Sequence, residues 1–303
     1  MKDSFLHIII TPFNLKLYKH DKGKKQVCSP EWMNERMHLF QTYCLPSIKA
    51  QTCNDFKWLI MFDADTDNEI RKRMDDIALT CPNIRLVYLT EEEAVSLLDN
   101  NPKTGYSLLE AIINQETKGN EGLIVTTNLD NDDALHCNYI QNVHDYVHDY
   151  IHENNHKLIS QKVSLLSYVW GYQFFPSYGV LLKMHYPHNH FLTLISKREK
   201  NFKTISHYPH TRARKMISNT DVRTEPMWME VVHERNVNND LRFTSRIWYL
   251  PVLLGFSFNE FGRKDTLSFC HNLYAFLFRF PSLFCRTAIV RLKKKIKKST
   301  SHR

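Results

Sequence analysis

The chain has 303 residues, of which 43% are hydrophobic, so it is long enough to bury the core of one large domain or two small ones. With only 8 Gly and 11 Pro against 18 Phe and 14 Tyr, a disordered or linker-rich chain is excluded. The formal net charge is +8, and much of the excess lies near the C-terminus while the rest of the chain is close to balanced. This distribution argues against a nucleic-acid groove, and we expect no nucleic-acid partner.

The seven cysteines are scattered, and no two have the C-x-x-C spacing of a zinc site. They are typical of reduced thiols in a cytoplasmic protein. The first residues run directly into a strand-like segment without a long apolar stretch or a small-residue cleavage site. We therefore expect no cleaved export signal.

The first half of the chain alternates apolar runs of strand length with longer amphipathic stretches, which is typical of β-α-β units around a sheet. The pattern predicts strands near 6–11, 57–63, 84–89 and 122–128. It predicts helices near 31–50, 68–80, 106–117 and 134–154.

Further along the chain, residues 163–186 predict two β runs joined by a turn at Pro176, and residues 225–235 predict a helix. Residues 266–292 are rich in Phe and Leu but are interrupted by Arg and Pro, so they are too broken to span a bilayer. Together with the lysines that follow, they fit an anionic membrane surface.

The predicted strand at 122–128 leads into the acidic loop Asp130-Asn131-Asp132-Asp133. Carboxylates packed this closely repel each other unless a cation or solvent offsets their charge. Asp130 and Asp132 have the spacing to bind one hard divalent ion, Mg²⁺ or Mn²⁺, together with substrate phosphates. The alternative is a turn in which Asp133 caps a helix that begins at Ala134, and the two interpretations are compatible.

A second acidic cluster, Asp63, Asp65 and Asp67, follows the predicted strand at 57–63. An EF-hand is excluded because Asn68 stands where Gly is needed and Met74 where Glu is needed. Two interpretations remain open, namely a phosphohydrolase with Asp63 as nucleophile and Asp65 as general acid, and a nucleotide pocket at the carboxyl end of a strand.

Five segments occur in an order that resembles the family-2 glycosyltransferases of the GT-A fold. They read IIITPFN at 8–14, SIKAQTCNDF at 47–56, WLIMFD at 58–63, NIRLVY at 83–88 and LDNDD at 129–133. Arg36, the run Leu45-Pro46-Ser47 and a later Trp, His and Asn at 228, 233 and 236 resemble the bacterial rhamnosyltransferases most. The sequence departs from the broader pattern at Phe62, which replaces the first Asp of a common Asp-Asp strand end, and at Ala64-Asp65, which replaces Gly-Ser.

The resemblance implies an α/β, GT-A (Rossmann-like) fold with a mixed central sheet and a helical, basic C-terminal extension. It implies a glycosyltransferase domain over 1–245, with a nucleotide-binding half at 1–135 and an acceptor half at 136–245, followed by the extension at 246–303. The implied reaction moves a sugar, rhamnose by the family label, from a nucleotide diphosphate to a glycan or lipid-linked acceptor. We expect a metal-dependent, inverting transferase of bacterial surface polysaccharide synthesis, in the cytoplasm or on the inner face of the membrane.

The same resemblance assigns roles to individual residues. Asp130 and Asp132 become the metal and diphosphate ligands of a D-x-D motif, and His233 is a candidate third ligand. Glu230 is the candidate general base, and the opposing interpretation is a solvated helix residue. Nucleotide-sugar contacts are assigned to Thr11, Asn14, Arg36, Asp63, Asp130 and Arg212.

Two basic features have competing interpretations. The segment around Arg212 either closes over the leaving diphosphate or is a solvated loop. The histidines at 144, 148, 152 and 156 recur at helical spacing, and we interpret them as a solvated face opposite the core stripe Ile140, Val143, Val147 and Ile151 rather than as a metal site.

Glycosyl transfer is the leading hypothesis. A phosphohydrolase built on Asp63 and Asp65 is disfavoured because such a motif is expected on the first strand. A non-catalytic membrane-associated binding module that uses residues 266–303 is the remaining alternative.

Overall fold

The computed structural model describes residues 5–15, 27–98, 105–115, 122–153, 163–199, 202–233, 241 and 247–289. The strands are β1 (Phe5–Pro12), β2 (Lys57–Asp63), β3 (Ile84–Leu89), β4 (Leu123–Asn128), β5 (Ala134–Leu135), β6 (Val163–Tyr168), β7 (Trp170–Phe175), β8 (Val180–His185), β9 (Leu192–Lys197), β10 (Asn219–Val222), β11 (Trp228–Val231), β12 (Trp248–Pro251), β13 (Phe256–Ser257) and β14 (Thr266–Leu267). The α-helices are α1 (Pro30–Leu39), α2 (Leu45–Lys49), α3 (Asn68–Leu79), α4 (Glu91–Leu98), α5 (Gly105–Gln115), α6 (Tyr139–Glu153), α7 (His210–Met216) and α8 (Phe269–Tyr274).

Within these residues, the central sheet has seven strands in the order β10-β6-β9-β4-β1-β2-β3. Strand β1 pairs in parallel with both β2 and β4, whereas β9 pairs antiparallel with β4 and β6. The carboxyl ends of β1, β2 and β4 therefore meet the beginning of β9 at one edge of the sheet. The predicted mixed α/β fold is confirmed.

Both faces of the central sheet are buried. Along β1, Ile9 packs into one apolar cluster while Ile8 and Ile10 pack into another, as the two-residue period of a strand requires. Helices α1, α3 and α6 contribute to the first cluster, and α4, α5 and α7 contribute to the second. This arrangement explains why β1 is a continuous hydrophobic run rather than an alternating one.

The predicted helix at 31–50 is interrupted, since a π-helical turn at Phe40–Cys44 separates α1 from α2. The Leu45 N–H donates to the Phe40 carbonyl, five residues back. Pro46 has no N–H to donate, which favours such a local change of hydrogen bonding. Ser29 caps the beginning of α1 by accepting from the Trp32 N–H.

A second sheet has the order β12-β8-β7-β11-β5 and begins directly after the acidic loop. Strand β5 pairs antiparallel with β11, and β11 pairs in parallel with β7. The helix predicted at 225–235 is therefore wrong. All four side chains of β11 are buried, and Trp228 and Val231 belong to the residue types that favour strands, so the tertiary environment decided the conformation.

Two other boundaries differ from the prediction. The segment 163–186 contains three strands, because Val169 separates β6 in the central sheet from β7 in the second sheet. Helix α6 begins at Tyr139 rather than near 134, because Ala134 and Leu135 form β5.

Residues 269–289 are helical and include α8 and a π-helical turn at Ala275–Arg279. No helix in the described part of the chain is long and apolar enough to cross a membrane. The basic run from Arg291 onwards lies outside the described residues. The division of the chain at 245 stays a prediction.

Candidate functional site

The candidate site lies where the carboxyl ends of β1, β2 and β4 meet the beginning of β9. Residues after β1 and β4 are connected directly, because Asn131 donates from Nδ2 to the Phe13 carbonyl oxygen at 2.8 Å. The acidic loop follows β4, and His190 precedes β9 by two residues. Four segments that are distant in sequence thus supply one cluster of polar side chains.

Asp133 anchors the acidic loop in the interior. Its side chain is fully buried; Oδ1 accepts from the Val231 N–H at 2.8 Å, and Oδ2 lies 2.7 Å from His190 Nε2. The alternative in which Asp133 caps a helix at Ala134 is therefore wrong, because its carboxylate binds β11 and His190 instead.

His190 brings together the two ends of the loop. Its Nε2 lies 3.9 Å from Asp130 Oδ2 as well as close to Asp133. Burial by itself would lower the pKa of His190, but the hydrogen bond with Asp133 and the charges of Asp130 and Glu230 raise it to about 9. The imidazole is therefore cationic at neutral pH and offsets part of the loop's charge, and a metal ion that bound to His190 would displace its proton.

Asp132 is held by different partners. Arg36 Nη1 lies 2.6 Å from Asp132 Oδ2 and donates to Asn131 Oδ1 at 3.0 Å. His233 Nε2 lies 2.8 Å from the same Asp132 oxygen. Although burial would raise the pKa of Asp132, the Arg36 guanidinium and His233 hold it below its usual range.

The loop thus has two charge-compensated halves, which the sequence did not predict. Asp130, Asp133 and His190 are the group of three metal-ligating side chains in the described residues whose donor atoms all lie within 4.8 Å of one another. The predicted set Asp130, Asp132 and His233 is divided, since Asp132 and His233 are in contact but Asp132 is paired with Arg36. A buried carboxylate needs a counter-charge, and Arg36 supplies it.

A cavity of about 300 Å³ lies at the ends of β1 and β2, on the same side of the sheet as the acidic loop, although no residue of 130–133 lines it. Asn14, Asp63 and Thr66 line it from the sheet, and Met33 and Asn34 line it from α1, the helix that carries Arg36. The remaining lining residues are Cys28, Pro30, Asp65, Asp67, Glu69 and Ile70. The cavity therefore offers mainly hydrogen-bond acceptors.

Asn14 and Asp63 line the cavity, whereas Thr11 does not, and the assignment of these residues as nucleotide contacts stays a prediction. Asn14 Oδ1 accepts from the Asp63 N–H at 3.1 Å, and Asp63 Oδ1 accepts from the Asp65 N–H at 2.8 Å. Thr11 is fully buried under the sheet edge, where its hydroxyl oxygen accepts from Trp58 Nε1 at 2.8 Å. Its side chain serves the core and does not line the cavity.

Glu230 lies on β11, next to the residue that binds Asp133. Only 2% of its surface is exposed, and Oε2 accepts from Gln173 Nε2 at 2.7 Å. The interpretation as a solvated helix residue is therefore wrong. A buried carboxylate with an amide that fixes its orientation beside a charged cluster is typical of a functional group rather than of a packing residue.

The basic segment after residue 207 forms α7. His210, its first residue, has its ring centroid 6.1 Å from that of His190, so the helix begins beside the acidic loop. Arg214 is paired with Asp221, whereas Arg212 is exposed. Of these two arginines, Arg212 is the more accessible to an anionic ligand.

His190 is the site residue that sequence reasoning missed. A signal was present, since His188 and His190 directly precede β9, but only the antiparallel pairing of β9 with β4 brings this position to the acidic loop. Gln173 was missed for the same reason, because it reaches Glu230 through the pairing of β7 with β11.

The histidines of α6 are partly misassigned as a solvated face. His144 is buried and its ring packs edge-on against Phe5 at 4.7 Å, whereas His148 is exposed. The side chains at 152 and 156 lie outside the described residues. Ile140, Val143 and Val147 are fully buried, as predicted.

Comparison with known proteins gives one family and several solved structures. The model of the family described as putative rhamnosyl transferase matches residues 4–244. A search of curated proteins finds no match. Among solved structures, Staphylococcus aureus TarS 1–349 is similar at 11% identity and a TM-score of 0.36, with 75% of this chain and 60% of that chain covered.

Two further structures are similar to this chain. TarS 1–349 in complex with UDP gives 11% identity, a TM-score of 0.38 and the same coverage. A putative nucleotide-diphospho-sugar transferase from Desulfovibrio desulfuricans G20 gives 9% identity and a TM-score of 0.34, with 74% of this chain and 81% of that chain covered. The chain spans about 60% of the length of the TarS structures.

Proposed function

Because this chain belongs to the putative rhamnosyl transferase family, we propose that it transfers a sugar from a nucleoside diphosphate to a hydroxyl of a glycan or lipid-linked acceptor. The observation that carries the proposal is the shared sheet edge, where Asn14 lines a cavity of about 300 Å³ and the carbonyl oxygen of the preceding residue, Phe13, accepts from Asn131 of the acidic loop. The hydroxyl and N–H donors of a nucleoside suit the acceptors that line this cavity, and the diphosphate would need a cation at the acidic loop. We assign the reaction to bacterial surface polysaccharide synthesis on the cytoplasmic side of the membrane.

In this proposal the nucleoside occupies the cavity. Asn14, Asp63 and Thr66 present oxygen atoms that suit ribose hydroxyls and base N–H groups. The diphosphate then extends along α1 towards the acidic loop, since α1 supplies both Met33 to the cavity and Arg36 to the loop.

The ligand group Asp130, Asp133 and His190 suits a divalent cation. Two carboxylates and one imidazole fit Mn²⁺. The alternative is Mg²⁺, which is a harder ion and prefers oxygen ligands only. When bound, the ion supplies positive charge that offsets the charge growing on the leaving diphosphate. Asp130, whose side chain is 45% exposed, is the member of the group most accessible to a substrate. Asp132, Arg36 and His233 keep the loop in place.

Glu230 is the proposed general base. Its carboxylate takes the proton of the acceptor hydroxyl while that oxygen forms a bond to the anomeric carbon. The bond between the anomeric carbon and the diphosphate oxygen breaks, and the electron pair leaves with the diphosphate. Attack from the side opposite the leaving group inverts the anomeric configuration. We assign to Arg212, which is exposed on α7, the role of pairing with the departing phosphates, and the start of α7 beside His190 supports this assignment.

The test uses Asp130→Asn, because this carboxylate is the most exposed member of the ligand group. We expect sugar transfer with Mn²⁺ to fall by about 100-fold or more, while the circular dichroism and melting temperature stay close to those of the unchanged protein. Asp145→Asn, on the exposed side of α6, is the matched control. Donors are first selected by the rise in melting temperature that nucleoside diphosphates cause with and without Mn²⁺. Sugar transfer by Asp130→Asn at the rate of the unchanged protein would contradict the proposal.

A second measurement distinguishes a role of Glu230 as general base from a role in donor binding. Glu230→Gln keeps the shape and a hydrogen bond to Gln173 but removes the proton acceptor. We expect kcat to fall by about 100-fold to 10,000-fold, with the donor affinity unchanged. A loss of donor affinity with unchanged kcat would assign Glu230 to binding instead.

A further inference from the structure

The C-terminal part of the described chain exposes large apolar side chains. Twelve such side chains are exposed in the described residues, and nine of them lie between 248 and 289. Phe278 is 66% exposed and Leu277 is 53% exposed on the helix at 269–289. Single exposed apolar residues are common, but a concentration in one segment marks an interaction surface. The others in this segment are Trp248, Leu250, Leu254, Phe269, Tyr274, Phe284 and Ile289.

The helix at 269–289 has two distinct faces. Its inner face, with Asn272, Ala275, Leu283 and Thr287, is buried against the body of the protein. Its outer face carries the exposed aromatic and aliphatic residues together with Arg279 and Arg286. Among the described residues, the body of the protein therefore buries one face of this helix and leaves the other largely exposed.

The charge of the chain is concentrated in the same region. Nine of the 40 Lys and Arg residues, and none of the 32 Asp and Glu residues, lie in 266–303. Arg279 and Arg286 both donate to Tyr178, at its carbonyl and its hydroxyl oxygen, so two of these cations are held beside the apolar face. The surface thus combines apolar side chains with positive charge.

From this combination we propose that the outer face of the 269–289 helix docks on an anionic lipid surface. An apolar face with interleaved arginines lies in the plane of a membrane interface, and the following basic run is attracted to acidic headgroups. A second copy of the chain is disfavoured, because two such basic faces repel each other.

Docking of this face has a consequence for the site. Leu283 packs in the same apolar cluster as Val232, and Val232 directly precedes His233, which contacts Asp132. Attachment through the helix would therefore anchor the part of the protein that carries Val232 and His233. This placement suits an acceptor that is carried by a lipid. The statement about the acceptor rests on the proposed function, whereas the proposal that the helix docks on lipid does not.

The test is cosedimentation of the full chain with vesicles of phosphatidylcholine, with and without about 30% phosphatidylserine. We expect binding to the anionic vesicles only. The double variant Leu277→Asn/Phe278→Asn should bind them more than about tenfold more weakly, because it removes apolar surface from the docking face. Leu79→Asn/Met216→Asn is the matched control, since it removes two exposed apolar side chains elsewhere. A third variant, Lys293→Glu/Lys294→Glu/Lys295→Glu, should also lose binding.

Melting temperatures and sugar transfer to a soluble acceptor show that each variant is folded. Absence of binding to anionic vesicles by the unchanged protein would overturn the proposal. Equal losses in the 277/278 and 79/216 variants, or a loss that depends on the lysines alone, would also overturn it. Sedimentation velocity tests whether a second copy of the chain binds this face instead. If the unchanged protein is a dimer that does not bind vesicles, and Leu277→Asn/Phe278→Asn dissociates that dimer, the face belongs to a second copy.

Discussion

The carboxylates of the acidic loop differ in their partners, and this difference decides what the loop can do. Asp132 is committed to Arg36 and His233, and Asp133 to His190 and the Val231 N–H. Asp130 is left as the most exposed carboxylate. Burial of so many like charges is tolerated because cations and an amide offset them locally.

The ion pair between Arg36 and Asp132 predicts a strong effect on stability. Arg36→Met should lower the free energy of unfolding by about 3–5 kcal/mol, because it leaves a buried carboxylate without its main counter-charge. The double variant Arg36→Met/Asp132→Asn should lose less free energy of unfolding than the sum of the losses in the two single variants. Urea unfolding followed by tryptophan fluorescence measures all three.

Arg73→Met serves as the control for this cycle, because Arg73 makes its hydrogen bond to Gln41 at the exposed surface of α3. It should change the free energy of unfolding by less than about 1 kcal/mol. Additive losses at Arg36 and Asp132 would contradict the pairing.

At the scale of elements, β11 connects the two sheets to the site. It pairs with β5, which continues the acidic loop, and with β7, which carries Gln173. Trp228 at its beginning stacks on Phe191 with the ring centroids 4.9 Å apart and donates from Nε1 to the Tyr168 carbonyl oxygen at 2.7 Å. The position of Glu230 and of the Val231 N–H therefore depends on the packing of one tryptophan.

Gly171 on β7 leaves the space that this tryptophan occupies. A Cβ at Gly171 would lie 2.1 Å from Trp228 Cδ2, and the stacked and hydrogen-bonded ring cannot move away easily. Gly171→Ala should therefore lower the free energy of unfolding by about 1–3 kcal/mol and shift the melting temperature down. It should also reduce activity, because β11 carries Glu230.

Gly255→Ala is the matched control, since a Cβ there would lie an ordinary 3.7 Å from the Leu267 carbonyl oxygen. We expect it to be neutral or slightly stabilising, because alanine restricts the unfolded chain. Equal melting temperatures for the two alanine variants would show that Trp228 adjusts.

At the scale of the whole molecule, two apolar clusters enclose the central sheet and a third fills the space behind the second sheet. Histidines are buried inside this framework. His7 on β1 is 1% exposed and lies against His144 of α6, with the ring centroids 5.3 Å apart. Burial, followed by the neighbouring charge of His144, lowers the pKa of His7 well below its ordinary value, and burial lowers that of His144.

These shifts predict that acid destabilises the fold. Below about pH 6.5 the unfolded chain binds protons that the folded protein does not accept, so stability falls as the pH falls through the unfolded pKa. Each such histidine contributes up to about 1.4 kcal/mol per pH unit in this window. Between pH 7 and pH 5.5, the free energy of unfolding of His7→Gln should therefore fall by about 1 kcal/mol less than that of the unchanged protein.

Urea unfolding at the two pH values measures the difference, and His38→Gln, at an exposed position of α1, is the control. An identical pH dependence in the unchanged protein and in His7→Gln would show that His7 takes up a proton in the folded state.

Local sequence determined the first half of the fold and half of the site. The strand runs before Asn14, Asp63 and Asp130 are continuous apolar segments whose length and flanking turns specify parallel strands, so their polar ends were predictable as neighbours. Only tertiary structure decided that Arg36 pairs with Asp132, that His190 joins Asp130 and Asp133, and that residues 228–231 form a strand. These features depend on pairings of β9 with β4 and of β11 with β5 and β7, which join segments far apart in the chain, and no local pattern of residues encodes which distant strand will be the partner.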